Sequence, residues 1–157
     1  MIVRPATFRD AAGMSRVLGE ILALWQSDRP ADPDHIFGFY IDHPDRVLCS
    51  VAEDREGTVL GFQSLKRAGP ENPYGVEPGW GIIGTYVRRQ ATRRGVGSAL
   101  FAATAKAAER AVLPKIDATI AADNELGLRY YEAMGFVPYR TTPGFVSMAY
   151  DVAADGR

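Results

Sequence analysis

Apolar positions along this chain recur at helical spacing in some stretches and alternate or cluster in others, and the switches between the two outline its elements. Ile2–Pro5 is a short apolar start compatible with a strand. Thr7-Phe8-Arg9-Asp10 then has the spacing of a capping box, with Thr7 as N-cap and Asp10 reaching back. Met14, Val17, Leu18, Ile21, Leu22 and Trp25 recur at helical intervals and predict an amphipathic first helix. The Pro- and Asp-rich stretch 27–33 ends it, and a shorter helix follows around 33–41 with proline in its first turn. Residues 47–53 and 58–65 are β-rich runs joined by Asp54-Arg55-Glu56-Gly57, a hairpin signal in which Gly57 tolerates positive φ.

Residues 68–79 hold three prolines and three glycines and read as a loop, long enough to carry function as well as to connect. A strand is expected over 80–88. A helix over 95–111 presents Leu100, Thr104, Ala107 and Ala111, Pro114 stops it, and a strand covers 115–121. A last helix over 125–134 is closed by Gly135, and 136–142 with 145–151 form a hairpin around Pro143-Gly144. An antiparallel start, one strand–helix–strand crossover and a terminal hairpin imply a mixed α/β sheet with helices on its faces.

At 157 residues, with 46% hydrophobic and 24% charged positions, the chain has the composition of one globular domain over 1–157. A net charge of −1 argues against a coat for nucleic acid or for an anionic membrane, so any anion site must be local. One cysteine, Cys49, excludes an internal disulfide and a cysteine-rich zinc site, and His35 and His43 lie far from other soft ligands, so no metal is expected. No signal-like or spanning segment is seen, which makes a cytoplasmic protein the expectation.

The most informative stretch runs from Tyr86 to Leu100. A strand ends and a helix begins within a few residues, with Gly95 and Gly97 at the first turn. A helix start presents unpaired N–H groups and about half a positive charge, which suits a phosphate. Glycines remove the Cβ atoms that would hold an anion away, and Arg88, Arg89, Arg93 and Arg94 lie close by to supply charge-assisted bonds. Tight helix–sheet packing and a solvated basic face explain the same residues without a ligand. The dinucleotide fingerprint fails because position 100 is Leu, and the P-loop fails for want of Gly-Lys-Ser/Thr.

Here the chain resembles the GNAT superfamily of acyl-CoA N-acyltransferases, whose signature is Q/R-x-x-G-x-G/A at the start of the central helix. Thr92-Arg93-Arg94-Gly95-Val96-Gly97 matches it except at Thr92, for which Arg93 or Arg94 compensates. A second family pattern, N-x-x-A/G followed by Y-x-x-x-G-F, is met by Asn124 to Gly127 and by Tyr131 to Phe136. The resemblance implies a mostly antiparallel sheet of six or seven strands whose central parallel pair splays apart to admit a thioester. It implies acetyl-CoA as co-substrate, held by the main chain of Tyr86 and Val87, by the turn of Thr92, Arg93, Arg94, Gly95, Val96, Gly97 and Ser98, and by Asn124. It implies Tyr131 as the acid that protonates the departing thiolate.

Read from the residues alone, Asn124 is an N-cap and Tyr131 a core side chain on the face of Leu128 and Met134, with Tyr130 facing elsewhere. A thiol pKa near ~8.5 and a phenol near ~10 make proton donation to sulfur only slightly uphill. An alkylammonium must lose a proton before attack, and the stretch Trp80 to Thr85 has no carboxylate. Glu77 is the nearest candidate in sequence, and a water relay through backbone carbonyls or Thr85 is equally open. Trp25, Phe37, Tyr40, Tyr74 and Trp80 lie where an acceptor site would be built, and favour a small, partly apolar amine. The opening loosely resembles the small-molecule branch that includes phosphinothricin-type acetyltransferases. The implied activity is acetyl transfer to a primary amine by direct attack in a ternary complex; the alternative is a non-catalytic acyl-CoA-binding or sensing domain. No nucleic-acid or membrane partner is expected, and a homodimer through the terminal strands is compatible with the sequence.

Overall fold

The computed structural model of the chain describes residues 1–152. Seven strands form one sheet in the order β1-β2-β3-β4-β5-β7-β6: β1 Ile2–Pro5, β2 Arg46–Glu53, β3 Val59–Arg67, β4 Gly81–Val87, β5 Lys115–Ala121, β6 Val137–Thr142 and β7 Phe145–Asp151. Every neighbouring pair is antiparallel except β4 and β5. Helix α1 (Ala11–Leu24) and the short α2 (Pro33–Ile36), which runs into a π-type turn over Phe37–Ile41, lie on one face. Helices α3 (Val96–Arg110) and α4 (Glu125–Ala133) lie on the other. Two aromatic-rich cores result. Met14, Val17, Leu18, Ile36, Tyr40 and Phe62 fill the first; Leu65, Phe101, Ile116, Tyr131, Phe136 and Met148 fill the second.

The elements arise where the sequence pattern sets them, with two shifts. On α3 the buried positions are Val96, Leu100, Phe101, Thr104 and Ala108, so the inward face is rotated from the expected one and Ala107 and Ala111 sit at its margin. On α1 the stripe holds through Leu22, but Trp25 lies past the helix end and is 48% exposed. Glycine supplies the positive φ at several turns, as at Gly57 (φ 82°) and Gly135 (φ 103°), while Gln26, Arg93 and Val112 adopt it without being glycine. Among the described residues no helix is long and apolar enough to cross a membrane. No group of three or more His, Cys, Asp or Glu among them is placed to hold a metal ion.

The N-terminal corner is fastened by charge. Arg4 on β1 forks onto Asp10 at 2.8 and 2.9 Å and reaches Glu53 at 3.0 Å, while Asp10 also accepts the Thr7 N–H at 2.7 Å. Asp10 is 6% exposed, and its hydrogen bonds from Arg4, opposed by burial, hold its carboxyl below the usual range. A folded pKa below the unfolded ~3.9 means that this contribution is complete above that value and is lost as pH falls through the folded one. Asp10→Asn is expected to cost about 1–3 kcal/mol near neutral pH, since Arg4 then keeps Glu53 as its one carboxylate partner among the described residues. The cost should shrink as pH falls below the unfolded ~3.9 and through the lower folded value, which urea denaturation at several pH values would measure.

Candidate functional site

The parallel pair at the centre is short. β4 meets β5 only at Gly81↔Ile116 and Ile82↔Asp117, whereas its pairing with β3 continues to Gly61↔Val87. Among the described residues β4 therefore has no strand partner on this edge from Ile83 onward, and the bare edge faces a gap. Antiparallel pairing turns alternate residues toward the partner strand. The Arg88 N–H bonds the Leu60 carbonyl at 2.8 Å, so two residues earlier the main chain of Tyr86 turns toward Phe62 on β3. That leaves the main-chain groups of Thr85 and Val87 directed into the gap. The Tyr86 ring packs on the α1 face, 5.0 Å from Phe62 and 6.0 Å from Tyr40.

Beyond this edge the chain makes a tight turn into α3. Arg93 (φ 67°) and Gly95 (φ 79°) both adopt the left-handed region, and Gly95 caps the helix. The first helical N–H bond is Ala99 to Gly95, so Val96, Gly97 and Ser98 present N–H groups without a partner in the helix. The Thr92 hydroxyl donates to the Arg89 carbonyl at 2.8 Å. Of the four arginines, Arg88 is engaged by Glu20 of α1 at 3.2 Å, while Arg89, Arg93 and Arg94 are exposed around the turn. A helix dipole, three N–H donors and three exposed cations are what a bound anion requires. The two glycines have different reasons. Gly95 has open space around it and is fixed by its φ, whereas a Cβ at Gly97 would lie 2.6 Å from the Tyr130 ring.

Asn124 caps α4, accepting the Gly127 N–H at 3.0 Å, which is the role its position alone predicts. Tyr131 is buried, and its hydroxyl donates to Thr85 Oγ1 at 2.8 Å. Tyr130 does not face elsewhere. Its ring centroid lies 5.0 Å from that of Tyr131, and its hydroxyl donates to the Gly97 carbonyl at 2.7 Å. The two were expected to diverge by about 100°, but long phenol side chains converge on the same group from adjacent positions.

That group is a buried relay that sequence reasoning missed. Gln63 on β3 donates through Nε2 to Thr85 Oγ1 and to the Tyr130 hydroxyl, both at 2.9 Å, and its Oε1 accepts from Thr104 of α3 at 2.5 Å. The only available signal was a polar residue at a core position, Gln63 in an apolar run and Thr104 on the inward face of α3. Both Gln63 amide protons and those of Thr104 and Tyr130 are committed. Thr85 Oγ1 accepts from both Tyr131 and Gln63, so the Thr85 hydroxyl proton is the one these bonds leave uncommitted. Burial, the first cause, keeps the Tyr131 phenol protonated well above its ordinary range.

On the opposite face of the splay lies a second polar cluster. Asp117 on β5 is buried and accepts from Tyr139 of β6 at 2.5 Å and from Thr119 at 2.9 Å. Thr119 meets Ser147 at 2.8 Å, and Arg140 reaches Ser147 at 3.3 Å. Arg140 also donates to the Gly75 and Tyr74 carbonyls, which fastens the 68–79 loop over this face. Burial raises the Asp117 carboxyl, with the Tyr139 and Thr119 bonds opposing.

The aromatic candidates divide. Tyr40 is buried, Trp80 stacks 5.4 Å from Tyr139, and Phe37, Tyr74 and Trp25 are more open. Lys66 stands 3.4 Å above the Phe39 ring, and burial lowers its amine to about 8. Glu77 is exposed on the loop, and its carbonyl accepts the Trp80 N–H.

The model of a family described as "Acetyltransferase (GNAT) family" matches residues 15–136. No curated protein matches the sequence. Similar solved structures include the Salmonella typhimurium protein yncA, solved with acetyl-CoA, at 18% identity and a TM-score of 0.79 over 99% of this chain and 96% of that one. A GCN5-related N-acetyltransferase from Kribbella flavida is 22% identical, with a TM-score of 0.79 over 96% of each chain. A ribosomal-protein-alanine N-acetyltransferase from Brucella melitensis is 22% identical, with a TM-score of 0.73 over 96% of this chain and 99% of that one. These likenesses establish the shared fold.

Proposed function

We propose, for a chain that belongs to the GNAT acetyltransferase family, that it moves an acetyl group from acetyl-CoA to a primary amine of a small molecule by direct attack in a ternary complex. The observation that carries this reading is the bare edge of β4 beside the Thr85–Tyr131 hydroxyl pair. An extended amide chain such as pantetheine finds main-chain donors and acceptors there, at Thr85 and Val87, as an added strand would. The N–H groups of Val96, Gly97 and Ser98, with Thr92, Arg93, Arg94 and Gly95 around them, hold its pyrophosphate. Asn124, at the start of α4, borders the same arm while capping the helix.

Acetyl-CoA supplies an activated carbonyl carbon and a thiolate leaving group. The protein's part is to align, to exclude water and to deliver one proton. Tyr131 gives its proton to the departing sulfur, and as it leaves Thr85 Oγ1 the Thr85 hydroxyl turns its own proton onto the phenolate, held in place by the Gln63 amide. The half-buried Tyr86 ring on the α1 face, backed by the core rings of Tyr40 and Phe62, forms an apolar wall for the acceptor. This favours a small amine with an apolar body over a polycation, and the whole reaction is assigned to one cytoplasmic domain.

One observation favours a non-catalytic acyl-CoA sensor instead: β4 from Gly81 to Val87 carries no carboxylate. An assay of free-thiol release separates the two, with acetyl-CoA and a panel of alkylamines, arylalkylamines, amino acids and an alanine-ended peptide. The expected result is thiol release that depends on an amine, with intersecting initial-rate plots as a ternary complex requires. Acetyl-CoA binding without amine-dependent release across the panel would favour the sensor, and fastest turnover of the peptide would refute the small-molecule acceptor.

A further inference from the structure

We infer that Tyr139 and Asp117 form the proton-accepting side of the reaction, Tyr139 taking the proton shed by the acceptor amine while passing its own to Asp117. This rests on the acetyl-transfer reading above, which supplies an acid and leaves the amine without a base. Glu77, the sequence candidate, is a solvated loop residue held only through its main chain.

Three observations converge on the pair. The first is position. Asp117 pairs with Ile82 on the last rung before β4 and β5 separate. A Cβ on neighbouring Gly81 would meet Leu65, Leu113 and Ile116 of the α3-side core, so the next residues, Ile82 and Asp117, face the other side. That is the face on which α1 and the Tyr86 ring lie. Asp117 thus stands at the root of the gap, on the side from which an acceptor approaches, and its charge is felt by the Tyr131 phenol.

The second is the carboxylate itself. It is 1% exposed, yet among the described residues it takes part in no ion pair. Buried carboxylates are ordinarily paired with a cation, because burial disfavours the charged form. Here two hydroxyls alone receive it, an arrangement suited to a group that gains and loses a proton. The charged and titratable groups around it are Arg140 on β6, reached through Ser147 and Thr119, Lys115 5.9 Å over the Trp80 ring, Tyr139 on β6 and Tyr131 on α4.

The third is the bulge. The β6–β7 register shifts between Pro138 and Arg140, leaving Tyr139 as the extra residue. Bulges re-aim side chains, and this one sends the Tyr139 hydroxyl across β7 onto Asp117 on β5 while its ring rests on Trp80. Tyr139 is 42% exposed, so the pair has a buried end and an open end.

In the step, the neutral amine nitrogen bonds to the carbonyl carbon and the C–S bond breaks. The proton lost by nitrogen goes to Tyr139 Oη, and the Tyr139 proton goes to Asp117. The Tyr131 proton goes to sulfur, and solvent carries the Asp117 proton back to Tyr131 before the next turnover.

The test uses the full chain with Asp117→Asn and, because that buried change risks the fold, Tyr139→Phe at a partly exposed site. Each is expected to lower kcat by ~10²-fold and to abolish the acidic limb of its pH profile, leaving acetyl-CoA affinity by calorimetry within about twofold. The double variant should be no slower than either single one, as for residues acting as a unit. Carbon NMR of the protein without substrate gives a second readout: the Asp117 carboxyl and the Tyr139 ring should titrate together above the ordinary carboxylate range. Either variant retaining kcat and the limb, or the two signals titrating independently, overturns the assignment. Absence of amine-dependent turnover in the unaltered protein would instead overturn the activity itself, and the NMR titration would still decide the pair.

Discussion

Tyr131→Phe is expected to lower kcat by ~10²–10³-fold while acetyl-CoA affinity changes by no more than about threefold. The substitution removes one oxygen and keeps the ring. That ring packs 5.1 Å from Phe136 and 5.0 Å from Tyr130, so the fold and the gap beside β4 should survive. Thr85 Oγ1 loses one donor but keeps the Gln63 amide, so no orphaned acceptor is created. What disappears is the phenol proton that the proposed reaction transfers from the Thr85 bond to the leaving sulfur. Because burial raises the Tyr131 pKa, the phenol stays in its acid form beyond the ~10 of a free tyrosine. Wild-type kcat should therefore show no alkaline decline from this group up to that pH. Steady-state rates and calorimetric acetyl-CoA binding would check both halves, and kcat within twofold of wild type would remove Tyr131 from the reaction.

The part of the site visible in the sequence is the part built from neighbours in the chain. Gly95 and Asn124 owe their geometry to the next few residues, and local rules of capping and left-handed turns find them; Gly97 is found by its place in the first turn of α3, although the ring that requires it lies 33 positions away. The strand Lys115–Ala121 is bounded by Pro114 and by the turn before Asn124, and its limits are equally local. What the sequence hid depends on distant pairing. The Gln63–Tyr130 bond spans 67 positions, Thr104 meets Gln63 across 41, and Asp117 meets Tyr139 across 22. Nothing in the spacing of those residues distinguishes them from ordinary strand and helix positions. The bulge at Tyr139 has one local sign, the neighbouring Pro138, since proline within a strand is confined to edges and bulges, but which residue it frees depends on how β6 and β7 register. The length of the splay is also set by partners, namely how far β5 follows β4 before turning to β7. The sequence thus gives the donor half of the reaction through motifs. The groups proposed for the acceptor half emerge only when strands remote in sequence meet.

Gly97→Ala should be the most damaging single change at the donor end, and its reason differs from that of Gly95→Ala. A Cβ at position 97 would fall 2.6 Å from Tyr130 Cε1, inside any tolerable contact. The ring has little freedom to yield. Its hydroxyl is held between Gln63 Nε2 and the Gly97 carbonyl, and its face abuts Tyr131. Relief requires α4 to move away from α3 or Tyr130 to rotate out, and either motion disturbs Tyr131. A cost of about 1–3 kcal/mol in stability is expected from such overpacking, together with a loss of acetyl-CoA affinity of about tenfold or more, equivalent to ~1.4 kcal/mol. Gly95→Ala meets no atom within 4 Å, and its cost of about 1–2 kcal/mol comes from φ 79° alone. Tyr130→Leu discriminates between the two. It opens space beside position 97 and should recover at least about 1 kcal/mol of the Gly97→Ala defect in a double-mutant cycle, but nothing of the Gly95→Ala defect. Denaturant unfolding of the six proteins would read both cycles. Equal recovery in both, or none in either, would mean that Gly97 is required by its backbone and not by the ring that closes over it.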